Sequence, residues 1–142
     1  MEFASPAWLA AVVDRLNGQP GLPAALDGLG QDLALVIEPS PGFPRAVAAW
    51  GRQAAGRIAA WRVLADEDEI LELEPAYVVR APYRVWKELL QGGDPVKAAL
   101  TGRLRVQGDL EALVRRAHHR PVVDAVLAAV PTEFPDERGG GA

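Results

Sequence analysis

Apolar residues recur along this chain with two alternating periods. After Ser5-Pro6, Leu9, Val12, Val13 and Leu16 fall at i, i+3, i+4 and i+7, and Asn17-Gly18 ends the pattern, which predicts a helix over 6–17. Serine can cap that helix, and proline fits its first turn, where the missing N–H costs nothing. Pro20 to Pro23 reads as a turn, and 22–29 as a short second helix closed by Gly28 or Gly30. From Asp32 to Glu38 the period drops to two. Leu33, Leu35 and Ile37 share one face while Val36 and Glu38 point the other way, a strand that Pro39-Ser40-Pro41-Gly42 breaks. Two more strands follow, at 76–81 with Tyr77 and Val79 on one face, and at 103–107 with Leu104 and Val106 inward and Arg103, Arg105 and Gln107 outward. Helical spacing returns at 83–91 (Tyr83, Trp86, Leu90), from Asp94-Pro95 to Gly102, at 109–118 (Leu110, Leu113, Val114, Ala117) and at 121–130 (Val123, Val126, Leu127, Val130).

Residues 45–64 fit both periods. Val47, Trp50, Ala54, Ile58 and Trp61 are spaced like a helix, and alanine favours one. Gly51 and Gly56 equally bracket a turn between strands at 45–50 and 57–64, so the local pattern leaves both open. Asp66 to Glu74 holds six acids in nine residues and reads as a solvated hairpin tip. Residues 1–134 form one domain, and the polar, glycine-rich 135–142 form a flexible tail.

Composition narrows the function. With 142 residues, 49% hydrophobic and 24% charged, the chain carries one ordinary core and is not disordered. The absence of cysteine excludes disulfides and thiolate chemistry. A net charge of −4 argues against nucleic acid as a partner. No apolar run reaches membrane-spanning length and no leader-like segment opens the chain, so a cytoplasmic protein is expected.

Candidate chemistry is thin. His118 and His119 are adjacent, about 100° apart on a helix, and cannot grip one metal together. Asp66-Glu67-Asp68-Glu69 lacks the glycine and spaced ligands of a calcium loop. The two serines, Ser5 and Ser40, sit in a cap and a turn, and nothing brings Glu72 and Glu74 to a common cleft. No catalytic residue, metal or cofactor is therefore expected. Residues 97–120 carry six Lys or Arg against Asp109 and Glu111, which suits ordinary solvated faces or transient docking on an anionic membrane. Of four tryptophans, Trp8, Trp50, Trp61 and Trp86, the last follows directly on the 76–81 strand.

Between Ala76 and Leu113 the elements run strand, helix, Gly92, Asp94-Pro95, helix, then Gly102-Arg103-Leu104-Arg105-Val106-Gln107-Gly108-Asp109 into a helix. This order resembles the C-terminal signature of the sterol carrier protein 2 domain family, whose pattern is a strand, a helix, a glycine, "D/N-P" and "G-x-L-x-V-x-G-D/N". The resemblance spans about residues 5–130 and bears motifs over 76–113. One position departs: Ala76 stands where the family often has aspartate. The resemblance implies an α+β fold, a five-stranded mixed or antiparallel sheet with helices packed on one face, and so tips 45–64 toward two strands. It also implies an apolar tunnel between sheet and helices for a fatty acid, fatty acyl-CoA or sterol-like molecule. The residues expected to line it are Leu35, Ile37, Tyr77, Val79, Leu104 and Val106, with Trp86 and Leu90 above them. The implied function is a non-catalytic lipid carrier, similar to bacterial members of the family. The alternative is a structural or dimerisation domain with a packed core, pairing as a homodimer through the 122–130 helix.

Overall fold

The computed structural model describes residues 1–139. Strands β1 (Asp32–Glu38), β2 (Val47–Ala54), β3 (Arg57–Leu64), β4 (Tyr77–Pro82) and β5 (Arg105–Gln107) form one sheet in the order β3-β2-β1-β4-β5. β1 and β4 run parallel and the other neighbours antiparallel, so the sheet is mixed. The helices are α1 (Pro6–Asn17), α2 (Leu22–Leu26), α3 (Glu69–Leu73), α4 (Tyr83–Leu90), α5 (Pro95–Leu100), α6 (Leu110–Val114), α7 (Arg120–Ala129) and α8 (Pro135–Gly139).

The ambiguous segment is a hairpin. Its turn is Ala55-Gly56, with φ of 53° and 76°. Two successive positive φ values make the tight turn whose twist matches that of the flanking strands. Gly51 is not part of a turn; it lies inside β2 opposite Trp61. Burial on a sheet, not alanine's helix propensity, decides this stretch: Ala48 is buried against Leu64, Val36 and Ile70.

The period-2 alternation sorts the two sheet faces. Ala34, Val36 and Val78 pack with Ile70 of α3, while Leu33, Leu35, Val79 and Val106 face the other way with α4 and α5. The acidic run is therefore more than a hairpin tip. Its second half winds into α3 to bury Ile70, and Glu69 anchors the start. Glu69 Oε2 accepts from the backbone N–H of Ala65 (2.7 Å) and Asp66 (3.3 Å). Those backbone bonds, with the Arg62 guanidinium beside them, hold the Glu69 carboxyl below its ordinary range.

Besides β2, which runs to Ala54 rather than 50, and α2, which ends at Leu26 rather than 29, three boundaries differ from the periodic reading. The 103–107 strand is confined to 105–107, because the N–H groups of Arg103 and Leu104 both donate to the Ala98 carbonyl and close α5. The 109–118 helix stops at Val114 and a 3-10 turn covers 117–119. The chain restarts as α7 at Arg120, with Pro121 in the first turn, where its missing N–H costs nothing. The third is the C-terminal segment: 135–139 form α8, and residues 140–142 lie outside the described residues.

An aromatic cluster holds α8. Tyr83 is 1% exposed and stacks on Phe43 with ring centroids 4.6 Å apart. Phe3, Trp8 and Phe134 surround the pair. The Tyr83 hydroxyl donates to Asp136 at 2.5 Å, and Lys87 Nζ donates to Asp136 (3.0 Å) and Glu137 (2.9 Å). The Tyr83 bond first, and Lys87 second, hold the Asp136 carboxyl below its ordinary value. A depressed carboxylate adds stability that is fully present above its unfolded value, near 3.8, and is lost as pH falls through the lower folded value. Asp136→Asn should accordingly flatten the fall of melting temperature below about pH 4; parallel wild-type and variant acid profiles would contradict this.

Candidate ligand cavity

A cavity of about 690 Å3 lies between the sheet face that carries Val79 and Val106 and the helices on that side. Its floor comes from the strands: Ile58 on β3, Val79 on β4 and Val106 on β5. Val79 and Val106 are register partners, so their side chains share that face. Asn17 at the end of α1 sets the Ile58 edge. Its side chain donates to the Ile58 carbonyl (3.0 Å) and accepts from the Ile58 N–H (2.8 Å), which seats Leu16 beside it on the cavity.

The walls follow from the motif residues. Asp94 caps α5 by accepting from the N–H of Val96 at 2.9 Å, and Asp109 caps α6 by accepting from Ala112 at 3.1 Å. The caps orient Val96 and Ala99 on one helix, and Leu110 and Leu113 on the other, toward the cavity. Gly108, at φ 115°, joins β5 to α6. A Cβ there would collide with the Ala76 carbonyl and the Tyr77 ring, so glycine lets β5 lie against the start of β4.

Five of the eight expected residues line the cavity: Val79, Trp86, Leu90, Leu104 and Val106. Trp86 presents an apolar ring because its indole N–H is already used, donating to the carbonyls of Ala81 (3.0 Å) and Val36 (3.2 Å). The other three lie elsewhere. Leu35 does not line the cavity, although it is partly buried in the cluster that includes Val79, Leu104 and Val106, and Ile37 belongs to the aromatic cluster. The Tyr77 ring sits against Gly30 and Gly108. β1 is the central strand of the sheet.

The strand-based reading missed the lining from short helices, notably Leu22 and Leu26 of α2 and Val122 and Leu127 of α7. Their apolar spacing was visible, but nothing local says that they face one shared void. The carboxylates of Glu72 and Glu74 are exposed on or beside α3, which covers the opposite sheet face.

Few polar groups reach the cavity. Asp94, Arg116, His119, Arg120 and Asp124 carry its ionisable side chains. Arg120 Nε faces Asp124 at 3.4 Å, and its Nη2 donates to the carbonyls of Gly92 and Gly93 at 3.1 and 3.0 Å. The basic segment is largely neutralised in place. Of its six bases, Arg103 pairs with Glu88, Arg105 with Glu38, Arg115 with Glu111 and Arg120 with Asp124. Among the described residues, no helix is long and apolar enough to cross a membrane.

Known proteins share this architecture. A crystal structure of sterol carrier protein 2 is 26% identical, with 91% of this chain and 99% of that one covered and a TM-score of 0.73. A conserved hypothetical protein of Thermus thermophilus, suggested to be a sterol carrier protein, is 26% identical over 94% of this chain and 92% of its own, with a TM-score of 0.75. Sterol carrier protein 2 of Yarrowia lipolytica, in its apo form, is 11% identical over 89% of this chain and 91% of its own; its TM-score of 0.53 shows the fold alone. A comparison with curated protein sequences returns no match. The model of the SCP-2 sterol transfer family matches residues 13–117, a span that contains the whole sheet and the Asp94-Pro95 and Gly102 to Asp109 motifs. With the mixed sheet, the ordered motifs and the family match in agreement, the chain belongs to the SCP-2 sterol transfer family.

Proposed function

We propose that this protein is a non-catalytic lipid carrier that holds a fatty-acyl or sterol-like molecule in the cavity between sheet and helices. The observation that carries the reading is the cavity itself. Its volume of about 690 Å3 falls within the roughly 300–1,000 Å3 of small-molecule sites. Its walls are mainly Leu, Val and Ala, with Trp86 among them. Each buried methylene contributes about 0.8 kcal/mol, so some ten methylenes contribute about 8 kcal/mol, the scale of a micromolar complex. Val79, Trp86, Leu90, Leu104 and Val106 would contact the chain. A domain serving only structure or dimerisation would have no use for such a void, which weighs against the packed-core alternative.

A fluorescent fatty-acyl probe should bind with micromolar affinity and change Trp86 emission as water leaves the indole. Native mass spectrometry of protein purified from its own host should show a co-purifying lipid. If no alkyl probe binds and no lipid co-purifies, the carrier reading fails.

A further inference from the structure

We infer that Arg116 anchors the carboxylate of a single-chain amphiphile, so that the cavity selects a long-chain acid over a neutral sterol or a multiply charged acyl conjugate. The inference rests on the lipid reading of the cavity and names its ligand class.

Of the two arginines on the cavity, Arg120 is paired with Asp124 and Arg116 is not. Among the described residues, no carboxylate lies within ion-pair distance of Arg116. Its guanidinium is held by backbone carbonyls: Nη1 donates to Ala112 at 3.0 Å, and Nη2 donates to Asp27 at the end of α2. Its Nε is buried without a hydrogen-bond partner. Arg116 is half-buried on the cavity, so its guanidinium is a full positive charge beside an apolar space with no carboxylate to balance it. A carboxylate can balance it by accepting from the N–H groups of Nη1 and Nη2 that the two carbonyls leave over, since Nε itself is closed off by its surroundings. Asp124 is matched by Arg120, and Asp94 is turned to the backbone N–H groups of α5 while keeping its charge, so Arg116 is the cavity arginine left without a carboxylate partner. A phosphate-bearing head would bring extra negative charge close to both aspartates. A sterol would leave the guanidinium as it is.

The test compares cis-parinaric acid, its methyl ester and a fluorescent sterol on the whole protein at low salt. Wild type should bind the acid about tenfold or more tighter than the ester, which shares its chain and lacks its charge. Oleate should displace the probe at lower concentration than oleoyl-CoA. Arg116→Met should equalise acid and ester while leaving ester affinity within about twofold, and Arg116→Lys should keep part of the preference. Lys97→Met, an exposed base off the cavity, should keep all of it. Equal acid and ester affinity in wild type, a preference that survives Arg116→Met, or binding of the sterol alone overturns the anchor while the cavity reading stands. If none of the three probes binds, the cavity reading falls and takes the anchor with it. Should Arg116→Met not fold, the wild-type ratio and Arg116→Lys decide the matter.

Discussion

Val106→Phe is expected to abolish binding of a fatty-acyl probe while leaving the melting temperature within about 2 °C of wild type. Val106 sits on β5 at the cavity floor, in register with Val79. A phenyl ring at that position extends into space an alkyl chain would occupy. In a packed core the same enlargement would cost about 1–3 kcal/mol, because side chains would be forced off their rotamers. Here the added volume has room. Arg105→Ala is the control. Arg105 lies on the opposite face of the strand, where its exposed side chain pairs with Glu38. Such a surface pair contributes about 0–1 kcal/mol, so neither binding nor stability should move appreciably. Probe titration and thermal melts of the three proteins decide the point. A Val106→Phe variant that unfolds, or that binds the probe as wild type does, contradicts the cavity reading.

Tyr83→Ala should destabilise the protein by about 3–5 kcal/mol in urea unfolding. Tyr83 is 1% exposed and opens α4 directly after β4. Its ring stacks on Phe43 and meets Phe3, and its hydroxyl reaches Asp136 across the C-terminal segment. Removing the ring leaves a void in the cluster that joins α1, α4, α7 and the chain's end. Tyr83→Phe keeps the ring and loses one hydrogen bond, so about 1–2 kcal/mol is expected. Burial drives the phenol's pKa upward, with the Asp136 bond adding to it. A group raised in the folded state contributes stability that is complete below its unfolded value, near 10, and is lost as pH rises beyond it. A Tyr83→Ala change of less than about 1 kcal/mol would show that the cluster contributes little.

Several features were legible without the structure because they are local. Period-2 alternation placed β1 and β4, and marked Val106 as inward on β5. The pairs Ser5-Pro6 and Asp94-Pro95 marked helix starts, since capping and proline's missing N–H act within one turn. The order of Asp94-Pro95, Gly102 and Gly108-Asp109 after a strand and a helix was enough to state the family resemblance, because Asp94, Gly102, Gly108 and Asp109 each answer a backbone demand: a cap on α5, a positive φ, a close approach to β4, a cap on α6. Those demands depend on residue type and order, so they can be read in one dimension.

Tertiary structure decided what depends on partners far along the chain. Residues 45–64 satisfied helix and hairpin spacing alike; the resemblance tipped them toward strands, and the physical choice is made by pairing of β2 with β1. The Asp66 to Glu74 run looked solvated until Ile70 found the underside of the sheet. The 135–139 segment is helical because Asp136 meets Tyr83 and Lys87, which lie about fifty residues away. The cavity is the clearest case. Apolar residues at helical or strand spacing announce that they will be buried, but the same pattern serves a filled core and a lined void. Whether a residue of one cluster borders the cavity, as Val106 does, or lies off it, as Leu35 does, depends on how closely α2, α5, α6 and α7 approach the sheet. That distance is set by contacts among all of them together, and no single segment encodes it.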